Sequence, residues 1–168
     1  MRANVGMPVA IVRWPRDAAR RADLAGRGVP RLLVVDPGAP PPDVAGDEDW
    51  IRAPADERDV AARLDGLRAR CAGVVLEAGV LRTHRGAAAL SPREAAVAEA
   101  LLAEPGGVVP RAQVEAALAG RGVVTARTAD DAVYRLRRRL RPLGLDVFSS
   151  RGRGFLLGPR LDVSDADS

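Results

Sequence analysis

Apolar residues return at two spacings along this chain, and each spacing predicts a different element. PVAIVRW at 8–14 and RLLVVD at 31–36 are short, unbroken apolar runs of the kind that form strands, the second covered on both faces. Between them, residues 15–27 read as a helix with Ala18, Ala22 and Leu24 set among arginines and closed by Gly26 and Gly28. Residues 8–36 therefore predict a small βαβ unit with a parallel pair. PGAPPPDVAGDED at 37–49 is too rich in proline and acid for regular structure, and Trp50 with Ile51 suggests a third short strand. After Pro54, Val60, Leu64 and Leu67 recur at i, i+4 and i+7, which predicts a helix with one face on the sheet.

The second half begins with short strand-like pieces between 73 and 90, punctuated by Gly79 and Gly86. Ser91-Pro92-Arg93-Glu94 is a capping box with proline at the first helical position, and the helix it opens runs through Ala103 with Val97, Leu101 and Leu102 facing a core. The turn EPGGVVP leads to RAQVEAALAG, a second helix ended by Gly120. GRGVVT at 121–126 is a loop into a third helix, 128–140. There Ala129, Val133, Leu136 and Leu140 fall at i, i+4, i+7 and i+11, while Arg135 and Arg138 point the opposite way. Thr128 is the expected cap of this helix, with Asp130 and Asp131 following where the helix dipole favours negative charge. Pro142 and Gly144 end it, and VFSSRGRGFLL reads as two short strands around a glycine-bearing turn.

Charge changes the picture more than composition does. All 26 basic residues are arginine, in a chain also heavy in Ala, Gly and Pro, so arginine alone is weak evidence. Its placement is stronger. Residues 1–72 carry 12 Arg against 11 acids (+1), 73–126 carry 5 against 5, 127–160 carry 9 against 3 (+6), and 161–168 carry three Asp (−3). Five arginines, Arg135, Arg137, Arg138, Arg139 and Arg141, stand within seven positions, a density that asks for an anionic partner. Cys71 and His84 are the only cysteine and histidine, which leaves no internal disulfide or cysteine-based metal site. Cys71 is expected as a helix-end thiol packed between domains, His84 as a hairpin-turn residue, and Trp14 and Trp50 as core anchors. No apolar run reaches the roughly 20 residues of a membrane helix, so the expected location is the cytoplasm, on the nucleoid.

A basic helix followed by a basic hairpin is the layout of a winged helix. RTADDAVYRLRRRL…VFSSRGRGFLL resembles the recognition helix and wing of OmpR/PhoB-type DNA-binding domains, with Asp130, Val133, Arg135, Leu136, Arg137, Arg138, Leu140, Arg151, Gly152, Gly154 and Phe155 at matching places. Leu90-Ser91-Pro92-Arg93-Glu94 resembles the family's Leu-Thr-x-x-Glu entry, and Pro110 stands where the family's usual N-cap serine is absent. The resemblance implies that Arg127, Ala132, Tyr134, Arg135 and Arg137 face groove or phosphate. Ser149 and Arg151 would be wing contacts, with Arg153 beside them. Periodicity by itself nominates Arg135 and Arg138. Arg135 is on both counts the base-reading candidate, whereas Arg137, nearer the buried stripe, is expected to reach a phosphate past the helix edge. The loop 121–126 is one that in the family can meet RNA polymerase.

DWIRAPADERDVAARLDGLRAR resembles the end of a receiver domain, with Arg52 and Pro54 at the places of its Lys-x-Pro turn. Arg13 and Trp14 occupy the place of the receiver's acidic pair, so the Mg²⁺ pocket is missing. Asp36 is a weak phosphoacceptor candidate at best, since Asp before Pro-Gly is a common turn opening. The expected organisation is a shortened receiver-like α/β domain over 1–72, an α+β winged helix-turn-helix domain over 73–160 and an acidic disordered tail over 161–168. The expected function is a non-enzymatic, cofactor-free, sequence-specific double-stranded DNA-binding transcription regulator, independent of phosphorylation and able to form a homodimer. Its recognition helix, 128–140, enters the major groove and its wing, 147–157, the minor groove. The competing class is a protein-interaction adaptor or RNA polymerase-binding factor with weak or non-specific DNA binding.

Overall fold

The computed structural model describes residues 1–160; the segment 161–168, expected as an acidic tail, lies outside them. The order of elements is β1 (Arg2–Asn4), β2 (Ala10–Trp14), α1 (Ala18–Gly26), β3 (Arg31–Val35), β4 (Glu48–Arg52), α2 (Glu57–Cys71), β5 (Gly73–Glu77), β6 (Val80–Thr83), β7 (Gly86–Ala89), α3 (Pro92–Ala103), α4 (Arg111–Ala119), α5 (Ala126–Leu140), a 3₁₀ turn (Arg141–Leu143), β8 (Leu145–Ser150) and β9 (Gly154–Pro159). They divide into two compact units, one of Met7–Ala72 and one of Met1–Gly6 together with the chain from Gly73 on. None of the described helices is long and apolar enough to cross a membrane.

In the 7–72 unit, β2, β3 and β4 form a parallel sheet in that order, as the βαβ pattern predicts. Alternation sets its two faces. Val12 and Leu33 pair in register and pack with Leu24 of α1, while Trp14 and Trp50, partly buried, close the cluster. On α2, Leu67 and Cys71 are buried; Asp56 caps the first turn by accepting from the Arg58 amide at 2.8 Å, and Arg68 and Arg70 sit at the dipole's negative end. Burial pushes the Cys71 thiol pKa up.

At the start of β3 and β4, the periodicity gave no hint of a buried ion network. Arg31 and Glu48 are neighbours in register and almost wholly buried, at 2% and 6% exposure. Glu48 accepts from Arg21 Nε at 2.9 Å and Nη2 at 2.8 Å, from Arg31 Nε at 2.8 Å and from the Ala45 amide at 3.3 Å. The hydrogen bonds from Arg21 and then Arg31 outweigh desolvation and hold its pKa down at about 2.

The other unit contains a finding that corrects the expected boundary. β1 pairs antiparallel with β5, Asn4 opposite Gly73, and completes an antiparallel sheet in the order β1-β5-β6-β7. Residues 1–6, expected within the first domain, thus belong to the sheet of the second, and the α/β unit is an insertion between two adjacent strands. His84 lies in the turn between β6 and β7, where the sequence placed it.

Three helices cover one core. The Ser91–Glu94 capping box forms as expected, and Val97, Leu101 and Leu102 are buried. At α4 Pro110 is the cap residue and offers no side-chain bond. The cap of α5 differs from expectation: Thr125, not Thr128, is the N-cap, and the two threonines bond reciprocally through Thr128 N to Thr125 Oγ1 and Thr125 N to Thr128 Oγ1, each at 3.2 Å. The helix therefore starts at Ala126, and Asp130 and Asp131 fall beyond its first turn, where the dipole has little hold on them. After the 3₁₀ turn Gly144 takes the left-handed conformation, φ 73°, and the β8–β9 hairpin follows.

The hairpin is fastened to the loop before α4. Val109 and Phe155 exchange two backbone hydrogen bonds, N to O at 2.7 Å and 2.9 Å. Gly154, φ 141°, lies so close that a Cβ there would collide with the Val109 carbonyl.

Two outcomes follow from this packing. Gly154→Ala forces the bridge apart or the turn out of its conformation and lowers unfolding free energy by about 2 kcal/mol or more in a urea titration, with the largest loss of amide protection in the hairpin. For Glu48, whose folded pKa is depressed, the contribution is present above the unfolded carboxyl pKa near 4.5 and is lost as pH falls toward 2. Glu48→Gln leaves two arginines without their carboxylate; it lowers the unfolding free energy of this unit by about 3 kcal/mol at neutral pH and flattens the acid limb of its stability profile.

Candidate nucleic-acid interface

One helix presents the charge. Along α5, Ala129, Val133, Leu136 and Leu140 are all buried, so the predicted stripe is the face that packs on the core. That packing leaves Arg127, Tyr134, Arg135, Arg138 and Arg139 exposed, with Tyr134 at 59%. Arg135, Arg138 and Arg139 line a groove with Ser91 and Glu94 at the start of α3, and Arg135 also borders a smaller cleft with Arg93, Thr128 and Asp131. Tyr134 stands on the same outward surface.

Ala132 is a correction. It is 5% exposed and packs in the core cluster, so it offers little surface to a groove, touching only the floor of the cleft beside Arg135. The buried stripe is one residue wider than the i, i+4, i+7 pattern shows, because α5 is packed by both α3 and α4.

Arg137 is the second correction. Its Nε donates to the Val147 carbonyl at 2.6 Å and its Nη2 to Ser149 Oγ at 2.7 Å, with Asp146 at 3.9 Å. A side chain expected to reach outward to a phosphate instead ties the helix to strand β8. Ser149 is exposed but spends one lone pair on that tie. Arg141 is drawn to Asp146 as well, at 3.8 Å. The arginine run thus splits into two groups: Arg137 and Arg141 hold the hairpin, and Arg135, Arg138 and Arg139 make no ion pair or hydrogen bond among the described residues.

The turn of the hairpin carries Arg151 and Arg153, both exposed, with Gly152 at φ 71°. They share a cleft with Arg111 at the first residue of α4, which sequence reasoning did not nominate. Arg111 pairs with Asp130 at 2.9 Å and with Glu115 at 3.1 Å, contacts that push its pKa above the ordinary value. A basic residue at the first position of the helix preceding a recognition helix was the available signal.

In the 7–72 unit, Asp36 opens a turn: its carbonyl accepts from the Ala39 amide at 3.1 Å, and Arg52 Nη1 reaches the Ala39 carbonyl at 2.9 Å and the Asp36 carbonyl at 3.3 Å. Among the described residues there is no group of three or more His, Cys, Asp or Glu able to hold a metal.

Comparison with known proteins finds a family match that spans α5 and its hairpin. Residues 85–157 match the family model described as transcriptional regulatory protein, C terminal. Among solved structures, the C-terminal domain of the nisin resistance regulator NsrR, a lantibiotic response regulator, is 29% identical, covering 50% of this chain and 89% of that one at a TM-score of 0.46. The DNA-binding domain of the response regulator AdeR, in complex with an intercistronic region, is 20% identical over 52% of this chain and 95% of that one, TM-score 0.45. A streptococcal redox sensor described as evolved from two-component response regulators is 13% identical over 90% and 80%, TM-score 0.43. No curated protein matched. Residues 85–157 are thus similar to the C-terminal, OmpR/PhoB-type DNA-binding domain of transcriptional regulatory proteins.

Proposed function

We propose that this regulator binds double-stranded DNA in a sequence-specific way, with α5 in the major groove and the β8–β9 turn in the neighbouring minor groove. The observation that carries this reading is the division of labour among the arginines: those at the helix edge are consumed in holding the wing, and those on the outward face have no ion-pair or hydrogen-bond partner among the described residues. B-DNA's major groove admits a helix, and arginine donates two hydrogen bonds to guanine O6 and N7. Arg135 and Arg138 are the base readers in this account, Arg127 and Arg139 neutralise phosphate, and Tyr134 offers ring and hydroxyl to base edges. Arg151, with Arg153 beside it, enters the minor groove, whose negative potential is greatest in narrow A·T-rich stretches. Arg137 and Ser149 set the distance between the two readers.

In this reading the 7–72 unit acts without phosphorylation: among the described residues Asp36 belongs to no group of three or more metal-ligating side chains, and Arg52 is engaged with backbone carbonyls of the Asp36 turn. We assign this unit to dimerisation or protein contact. The loop before α5 is the place where the family resemblance suggests a protein partner, RNA polymerase. The chain acts by binding, not catalysis, and works where the nucleoid is, in the cytoplasm.

Two measurements test this. In duplex-binding titrations, Arg135→Ala lowers affinity for the selected sequence by roughly 10- to 100-fold while affecting random duplex little, corresponding to about 1–3 kcal/mol of base discrimination. Arg139→Ala weakens both duplexes equally; equal effects of the two substitutions on the specific-to-random ratio would refute the assignment. Incubation with a small phosphodonor such as acetyl phosphate leaves the intact mass unchanged, and a stable phosphoryl adduct on Asp36 that altered DNA binding would overturn phosphorylation independence.

A further inference from the structure

α5 carries an acidic residue on the surface just assigned to DNA, and no described residue pairs with it. Asp131 is exposed and borders the cleft that holds Arg135, yet it makes no ion pair or hydrogen bond among the described residues. The other carboxylates around the helix are occupied: Asp130 pairs with Arg111 at 2.9 Å, Asp146 lies between Arg137 and Arg141, and Glu94 closes the cap of α3. The helix dipole does not explain it either, since the helix starts at Ala126 and its first turn holds no acid. A free carboxylate here repels phosphate and so weakens binding to every sequence. What offsets that cost is a hydrogen-bond donor on the DNA.

The major groove offers such a donor. Cytosine N4 presents an amino group that an aspartate accepts from; guanine and thymine offer a carboxylate only acceptors and the thymine methyl, and adenine sets its N6 donor beside the N7 acceptor, which repels a carboxylate's second oxygen. Asp131 also lies in the half of the helix toward its N-terminus, the part of a recognition helix that approaches base edges most closely, which suits a side chain as short as aspartate. Arg135 stands one turn further along, so the two are neighbours on the helix surface about 6 Å apart and can address adjacent base pairs.

We propose that Asp131 is a specificity-determining residue that accepts a hydrogen bond from the N4 amino group of a cytosine next to the guanine read by Arg135. The assignment rests on the DNA-binding reading above and goes beyond it by naming a base and an atom.

The test is selection of binding sites from a random duplex library by the full chain in three forms: wild type, Asp131→Asn and Asp131→Ala. Wild type recovers a cytosine at one position beside the guanine whose recovery depends on Arg135. Asp131→Asn moves that position toward adenine, because an amide pairs with adenine N6 and N7. Asp131→Ala leaves the position unspecified, and the cytosine preference of the wild type is worth roughly tenfold in affinity at that base pair. Both variants keep the wild-type melting temperature, as expected of a side chain with no partner. The same site from all three proteins, with only a uniform gain in affinity for the variants, would overturn the assignment and leave the DNA-binding reading intact. So would a lowered melting temperature in Asp131→Asn, which would give the carboxylate a structural task. Failure of the wild type to select any site would bring down the parent reading and this one with it.

Discussion

The rotation of α5 about its own axis is the constraint on which the rest of this molecule depends. Four residues, Ala129, Val133, Leu136 and Leu140, are sealed into the core, and their burial decides which way every arginine on the helix faces. Burying side chains of this kind stabilises by about 1.5–3 kcal/mol each for valine and leucine, far more than a surface arginine gains from any ordinary contact. The helix cannot turn to satisfy its charges. The charges stay where the apolar stripe leaves them, held by protein on one edge and open to solvent on the outward face, where the proposed DNA contact lies.

That division explains the hairpin. A two-stranded ribbon is marginal in water by itself, and β8–β9 is held from three directions. Val147, Phe155 and Leu157 pack inward, Val109 and Phe155 share a pair of backbone hydrogen bonds, and Arg137 grips the Val147 carbonyl and the Ser149 hydroxyl. Each of these holds the turn at Arg151–Arg153 at a set distance from the face of α5. In the proposed complex, two readers in neighbouring grooves act as one only if that distance is fixed, because a loose wing would lose its gain in ordering entropy on binding.

Much of this was legible in the sequence, and what was not has identifiable physical causes. The βαβ pattern, the Ser91–Glu94 cap and the stripe of α5 are written in local spacing, which is why they were readable. β1 was not, because Arg2–Asn4 has no alternation of its own and is a strand only by virtue of β5, which lies across the inserted unit. Thr125 and Thr128 are both competent caps, and only the start of the hydrogen-bonded helix separates them. Ala132 resembles a surface alanine until both α3 and α4 are placed against it. Arg137 has the charge of a phosphate ligand, and its partner, the Val147 carbonyl, is a backbone atom that no side-chain pattern announces. The Arg21–Glu48–Arg31 network joins residues 17 and 27 positions apart, beyond the reach of any helical or strand period.

The measurement that tests the account most directly is the salt dependence of binding to a selected duplex and to a random one, made side by side on the full chain. Outward guanidinium groups that neutralise several phosphates give a steep linear fall of log affinity with log salt on both duplexes, and a specific-to-random affinity ratio of roughly a thousandfold or more. A shallow slope, or two duplexes bound equally at every salt concentration, would contradict the claim that the outward face of α5 reads DNA.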